Sequence, residues 1–297
     1  MKFLKFLVVL LTIFTSFVFA YGYLNEKEVI STIVSYYDRT PSDLITNKYQ
    51  KEIDESFVHI TNNFIATSRQ DILDIYYTIM ASGMSEFTFF CDNDYKDCIN
   101  EVLKINDDQE LLSQINNFVH VYNSFKTIKT TYTTNGKITL YINRTYSEND
   151  IEKINKRLDE LENKIIDKSK SKRDNIKEIH DYIINNTKYN VEDENTPNTE
   201  SSSALGVFFN NLATCNGYTD ATSLLLDRLG VKNIRISNDD HIWNLVYLDG
   251  KWLHLDVTWD DPVNNLNKDM LLYDYFLKET SEMDAKHNYN KELFNFI

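Results

Sequence analysis

Glycine and proline are scarce in this sequence of 297 residues, at 7 and 3. So few exclude a collagen-like repeat, a Gly-rich linker and a Pro-rich disordered tract. Basic charge is also in deficit, 31 Lys and Arg against 45 Asp and Glu, a net charge of -14. Such an acidic surface repels phosphate backbones, which excludes nucleic acid as a general partner. Beyond residue 20 no apolar run approaches the roughly 20 residues needed to cross a bilayer. Against these shortages stand 42% hydrophobic residues, with 17 Phe and 19 Tyr. That is enough to bury a core, and a prior of roughly 150 residues per domain suggests two domains.

The N-terminus reads as an address. Lys2 and Lys5 precede the apolar run Phe6 to Phe14, and Val18-Phe19-Ala20 supplies a cleavage site. Basic, apolar and cleavable parts in that order form a secretory signal. The stretch from Phe6 to Ala20 is short of the roughly 20 residues of a membrane anchor. No Cys follows Ala20 to carry a lipid. The expectation is a signal peptide over 1–20 and a secreted, extracellular protein with no stable membrane insertion after cleavage. Three cysteines are an odd number for such a protein. A Cys91–Cys98 bridge requires that the segment not be one continuous helix, because seven helical steps would part the Cα atoms by about 10 Å. Cys215 is then the leftover thiol, either a small buried hydrophobe or a reactive group.

Residues 21–146 read as an α+β region of unknown role. The signal is weak up to residue 66. Ser68 with Asp71 resembles a capping pair before Ile72, Ile75, Tyr76 and Ile79, and Gly83 is the stop. Glu86 to Phe90 reads as a strand. Phe118 to Thr134 and Lys137 to Thr145 flank Asn135-Gly136, a strong hairpin signal. From 147 the pattern changes. Ser147 precedes Ile151, Ile154, Leu158, Leu161 and Ile165 at helical spacing, and a second helix is expected over Asp174 to Asn186. The lysines among these residues are interleaved with acids, as on a solvated helical face. The polar, aperiodic stretch 191–203 is a loop, either an ordinary connection or a lid beside Cys215.

Thr214 precedes a helix with Tyr218, Ala221, Leu225 and Leu229, ended by Gly230. Cys215 falls in its first turn, where free backbone N–H groups and the helix dipole favour a thiolate. Gly217 removes bulk two residues later and admits a substrate or a neighbouring element. Two strands follow, His241 to Leu248 and Lys251 to Trp259, around Asp249-Gly250, a type I′ hairpin signal. If 248 pairs with 251, then 241, 243, 252, 254, 256 and 258 share one face. His241 and Asp256 become diagonal neighbours, within reach of an imidazole–carboxylate pair. Cys215 as nucleophile, His241 as base and Asp256 as orienter are what thiol catalysis requires. Composition and spacing also leave a purely structural pair open, or His254 as the partner.

Ala213-Thr214-Cys215-Asn216-Gly217-Tyr218, His241-Ile242-Trp243-Asn244-Leu245-Val246 and Asp249-Gly250-Lys251-Trp252 running to Leu255-Asp256-Val257-Thr258-Trp259 resemble, in order and spacing, the transglutaminase-like family. Ile179-His180-Asp181-Tyr182 and Tyr275-Phe276-Leu277 fit its flanks. The resemblance covers about 175–285. It implies an α+β, papain-like core over 147–297, with a cysteine-bearing helix on a small antiparallel sheet and a Cys215-His241-Asp256 triad. It implies acyl transfer on a protein or peptide substrate, as a peptidase or amidase or as a glutamine cross-linker. The alternative is a non-catalytic extracellular binding module with the same fold. No cofactor or metal is expected. Asp92-Asn93-Asp94 begins like a calcium loop, but Lys96 and Asp97 sit where a ligand and the glycine belong, which favours hydrolysis. A metal site of Cys215, His241 and His254 lacks any short-spaced ligand pair. Tyr189 is either an oxyanion donor or core, Trp243 shares the catalytic face and lines the acyl channel, and Trp252 and Trp259 pack.

Overall fold

The computed structural model describes residues 12–16, 20–23, 26, 38–51, 53–193, 199–262, 270–283 and 285–297. Most of the expected signal segment, including Lys2 and Lys5, lies outside them, as do residues 194–198 of the expected loop. No described helix is long and apolar enough to cross a membrane. The fold is α+β.

In the first part, Ser68 and Asp71 form a reciprocal cap: Ser68 Oγ accepts from Asp71 N at 3.2 Å, and Asp71 Oδ2 accepts from Ser68 N at 3.1 Å. They open helix α1 (Arg69–Ser82), which stops at Gly83 with φ +84°. A four-stranded sheet follows in the order β1-β2-β4-β3, with β1 (Ile65–Ala66) parallel to β2 (Glu86–Cys91) and the hairpin β3 (Phe125–Tyr132) and β4 (Lys137–Arg144) antiparallel. The hairpin turns at Asn135-Gly136 as its composition requires. Its first strand starts at Phe125 and not at Phe118. His120 Nδ1 accepts from Tyr122 N at 3.0 Å and holds residues 121–123 in a 3₁₀ turn. Two helices unforeseen in the sequence fill the gap, α2 (Cys98–Asp107) and α3 (Gln109–Asn117). Because β2 ends at Cys91 and α2 begins at Cys98, the two Cα atoms are 5.8 Å apart and the cysteines are bridged.

In the second part, a Ser147–Asp150 box opens α4 (Glu148–Ile165), and Ser171 caps α5 (Lys172–Asn186). A short parallel pair, β5 (Lys188–Tyr189) and β6 (Leu212–Ala213), precedes α6 (Cys215–Arg228). Strands β7 (Asn233–Ser237), β8 (Ile242–Leu248) and β9 (Lys251–Leu255) form an antiparallel sheet in that order. Leu248 pairs with Lys251 and Asn244 with Leu255, the expected register, around Asp249 and Gly250 at φ +54° and +83°. Two positive φ values in succession are the type I′ requirement. The strand β9 is shorter than its β-branched and aromatic residues suggest. Asp256 Oδ1 accepts from Thr258 N at 3.1 Å and Trp259 N at 3.2 Å, so the carboxylate closes a turn on its own backbone and ends the strand.

The sheet β7-β8-β9 is buried on both faces. Ile234, Ile236, Trp243, Leu245 and Trp252 join a core built from α1–α3 and the four-stranded sheet, which the tail reaches through Phe294. Val246, Leu248, Leu253 and Leu255 join a core with α4, α5 and α6. The alternation of strand side chains thus divides one short sheet between two hydrophobic clusters.

Candidate active site

Helix α6 begins at Cys215, after Thr214 in an extended conformation. Thr214 N donates to Ser201 O at 2.9 Å, which docks the helix start on residues 199–203. A Cβ on Gly217 would lie 2.5 Å from Ser201 O and 2.8 Å from Ser203 O. The small residue therefore serves close approach by a neighbouring segment. One turn on, Thr219 Oγ1 donates to Ile242 O at 3.0 Å, and Asn244 Nδ2 donates to Thr219 O at 3.2 Å and Ser223 Oγ at 2.8 Å. These bonds fix the helix against β8, so that its first residue reaches the residue before the strand, His241. The Cys215 thiol is free and partly exposed, and it lies close enough to the His241 ring to raise that ring's pKa.

His241 is held from two sides. Its N–H donates to Asn238 Oδ1 at 2.9 Å, which shapes the turn joining β7 and β8. Its Nε2 lies 2.7 Å from Asp256 Oδ2, leaving Nδ1 as the nitrogen for the thiol. Burial disfavours a charged ring, but the Asp256 charge and hydrogen bond, with the Cys215 hydrogen bond, outweigh it and push His241 up to about 10. For Asp256, burial is outweighed by the charge and hydrogen bonds of its imidazole partners, which hold the carboxyl below its ordinary range. The three residues singled out in the sequence are thus brought to one place, with His241 hydrogen-bonded to Asp256 and Cys215 beside the ring.

Other expectations are corrected. Trp243 is fully buried and lines no channel; its ring stacks on His241 at 5.7 Å, and its Nε1 donates to His254 Nδ1 at 2.9 Å. With Nε2 at 3.1 Å from Thr280 Oγ1, His254 has both ring nitrogens engaged, so it is neither the imidazole partner of Asp256 nor part of a metal site with Cys215. Trp259 is only half-buried and lines the cleft beside His241, whereas Trp252 packs. Sequence reasoning missed His287, whose Nε2 lies 2.8 Å from Asp256 Oδ2 with the side chain fully buried. It follows a polar, aperiodic stretch 31 residues after Asp256, with no pattern to mark it. Among the described residues, His241, Asp256 and His287 are the side chains whose ligand atoms converge enough to hold a metal ion, within 4.8 Å of one another.

The turn Ser237–His241 separates two lobes of a cleft. One, about 850 Å³, contains Cys215 and Asn216 with Ser113, Asn116 and Lys126 opposite. The other, about 1070 Å³, contains Tyr189, Trp259 and Tyr289 with Glu110 and Gln114 opposite. Helix α3 therefore contributes to the walls of both lobes. It is fastened there by Gln114 Nε2 to Ser237 O at 3.2 Å and Asn117 Nδ2 to Ser237 Oγ at 2.9 Å. Arg235, on β7, pairs with the buried Asp220 of α6 at 3.0 Å and donates to Val119 O at 3.0 Å. Asp239 and Asp240, both exposed, line both lobes.

A TGase of known structure overlaps 49% of this chain and 47% of its own, at 17% identity and a TM-score of 0.32. A protein from Cytophaga hutchinsonii described as a "putative cysteine protease" overlaps 44% of this chain and 61% of its own, at 15% identity and a TM-score of 0.29. The chain thus spans less than two thirds of either. No curated protein matches it in sequence. Residues 159–257, which hold Cys215, His241 and Asp256 together, match the model of the transglutaminase-like superfamily.

Proposed function

We propose that this protein is an exported thiol acyl-transfer enzyme, with Cys215 as nucleophile, His241 as general base and acid, and Asp256 as orienter. The observation that carries the reading is the His241 ring hydrogen-bonded to the buried Asp256, with the Cys215 thiol beside it at a helix N-terminus and open to a cleft. Cys215 Sγ attacks the carbonyl carbon of a carboxamide or peptide, and its proton passes to His241. The tetrahedral oxyanion is met by backbone N–H groups at the helix start. Collapse forms a thioester and breaks the C–N bond, while the imidazolium gives its proton to the departing ammonia or amine. Water or a lysine amine then takes the acyl group, with His241 accepting its proton and returning it to the thiolate. Water makes the protein a peptidase or amidase; an amine makes it a cross-linker.

Alkylation of Cys215 by iodoacetamide as a function of pH tests this reading. Rapid labelling well below the ordinary thiol pKa of about 8.5, lost in His241→Ala, is expected. Labelling only in the alkaline range would overturn it. Turnover of peptides against glutamine–amine pairs then separates the two outcomes. The second reading, a binding module, is favoured by the walls that α3, outside the matched segment, contributes to the cleft; a Cys215→Ala protein with full biological activity would establish it.

A further inference from the structure

The Asp256 carboxylate accepts four hydrogen bonds. Oδ1 takes Thr258 N and Trp259 N at 3.1 and 3.2 Å, and Oδ2 takes His241 Nε2 and His287 Nε2 at 2.7 and 2.8 Å. An ionised carboxylate only accepts, so both imidazoles must carry a proton on Nε2. For His241 that leaves Nδ1, when the ring is neutral, with the lone pair that takes the thiol proton.

The ring of His287 is fixed in orientation. It is enclosed by Trp259 at 4.6 Å, Tyr275 at 4.7 Å, Trp243 at 5.0 Å and His241 at 5.7 Å between centroids. Its backbone is also tied to that of His241 through one amide. Asn238 Oδ1 accepts from His241 N, while Asn238 Nδ2 donates to Lys286 O at 2.9 Å and Asn288 O at 3.1 Å, the carbonyls flanking His287. The turn that presents His241 and the tail that presents His287 are therefore joined independently of the carboxylate they share.

We infer that His287 is a positioning residue of this site: by sharing Asp256 Oδ2 with His241, it fixes the rotation of that carboxylate and limits its pull on the His241 ring. The inference rests on the triad reading above. It extends the site to residues 285–290, beyond residues 159–257 that match the family model. The ionisable groups around His287 are His241 and Asp256 in contact, His254 behind Trp243, Tyr275 against the ring and Lys286 next in the chain.

The test begins with the wild-type protein, by ¹⁵N NMR of its histidines. His241 and His287 should both be protonated on Nε2, and a His287 bearing its proton on Nδ1 alone would overturn the inference. In His287→Leu, Asp256 Oδ2 has a single imidazole donor. The His241 pKa, read from its ¹⁵N shifts, should rise by about one unit, the size that one charge-assisted hydrogen bond supports. If the triad turns over substrate, kcat should fall about tenfold with KM little changed, as for other partners that orient a functional imidazole. His287→Gln, whose amide offers a donor at a similar reach, should restore both. A folded His287→Leu with an unchanged His241 titration would reduce His287 to a space-filling residue. Failure of the triad reading is distinguishable: Cys215 in the wild-type protein would label only at alkaline pH, while the ¹⁵N evidence for a shared carboxylate stood.

Discussion

Four donors on one carboxylate constrain what can replace it. In Asp256→Asn the side chain has one accepting oxygen and one NH₂ group, yet both of its positions face N–H donors. Either orientation sets donor against donor, and the cheapest relief is a change of tautomer at His241 that blocks Nδ1. The expected result is a loss on the order of 10⁴ in kcat, as for the equivalent change in a serine triad, with about 1–3 kcal/mol of stability lost to the unsatisfied buried group. Steady-state kinetics beside thermal unfolding checks both; a loss below tenfold would mean that Asp256 does not orient the base. Strand parity puts residues 241, 254 and 256 on one face once the turn is placed, but it leaves His254 open as the partner of Asp256, and the resemblance supplies the choice of His241. His287 was not legible, because a single histidine in an aperiodic tail becomes meaningful only when the chain folds back.

Among the elements, the hairpin β8–β9 was the most legible, because Asp249-Gly250 admits the two positive φ values and so sets every pair behind it. Strand β7 was not. It alternates apolar residues with Asn233, Arg235 and Ser237, yet all three polar residues are buried, with Arg235 paired to Asp220 and Ser237 bonded from α3. Helix α3 was missed because nine residues carry too little periodicity to separate a helix from a loop. The start of α6 is the element most exposed to a single change. In Gly217→Ala the new methyl meets the Ser201 and Ser203 carbonyls, which are backbone and held by Thr214 N and Gly206 N respectively. We expect about 1–3 kcal/mol of destabilisation from overpacking and slowed alkylation of Cys215, because relief requires the helix start to shift. A Gly217→Ala protein with wild-type melting temperature and labelling rate would show that residues 199–203 give way freely.

Across the whole molecule, the buried imidazoles make stability depend on pH in two directions. Burial, with His287 nearby, holds His254 down to about 4, and its Nδ1 is occupied by the Trp243 N–H. Below an unfolded value of about 6.5 the unfolded chain binds a proton that the folded chain refuses. Stability therefore falls as pH drops from there towards about 4, by about 3 kcal/mol over that interval. His120, pushed down to about 2 by burial with Lys51 and Arg235 nearby, adds in the same direction. His241 has the opposite sign: raised to about 10, it contributes stability that is full below its unfolded value and is lost as pH rises through about 10. Stability should therefore peak near the unfolded histidine pKa of about 6.5. Urea unfolding followed by tryptophan emission from about pH 4 to pH 9 would trace both limbs. His254→Gln keeps an acceptor for Trp243 Nε1 but cannot titrate, so it should cut the slope of the acid limb by about half, leaving the share of His120, and leave the alkaline limb in place. An acid limb of unchanged slope in that variant would assign the loss to His120.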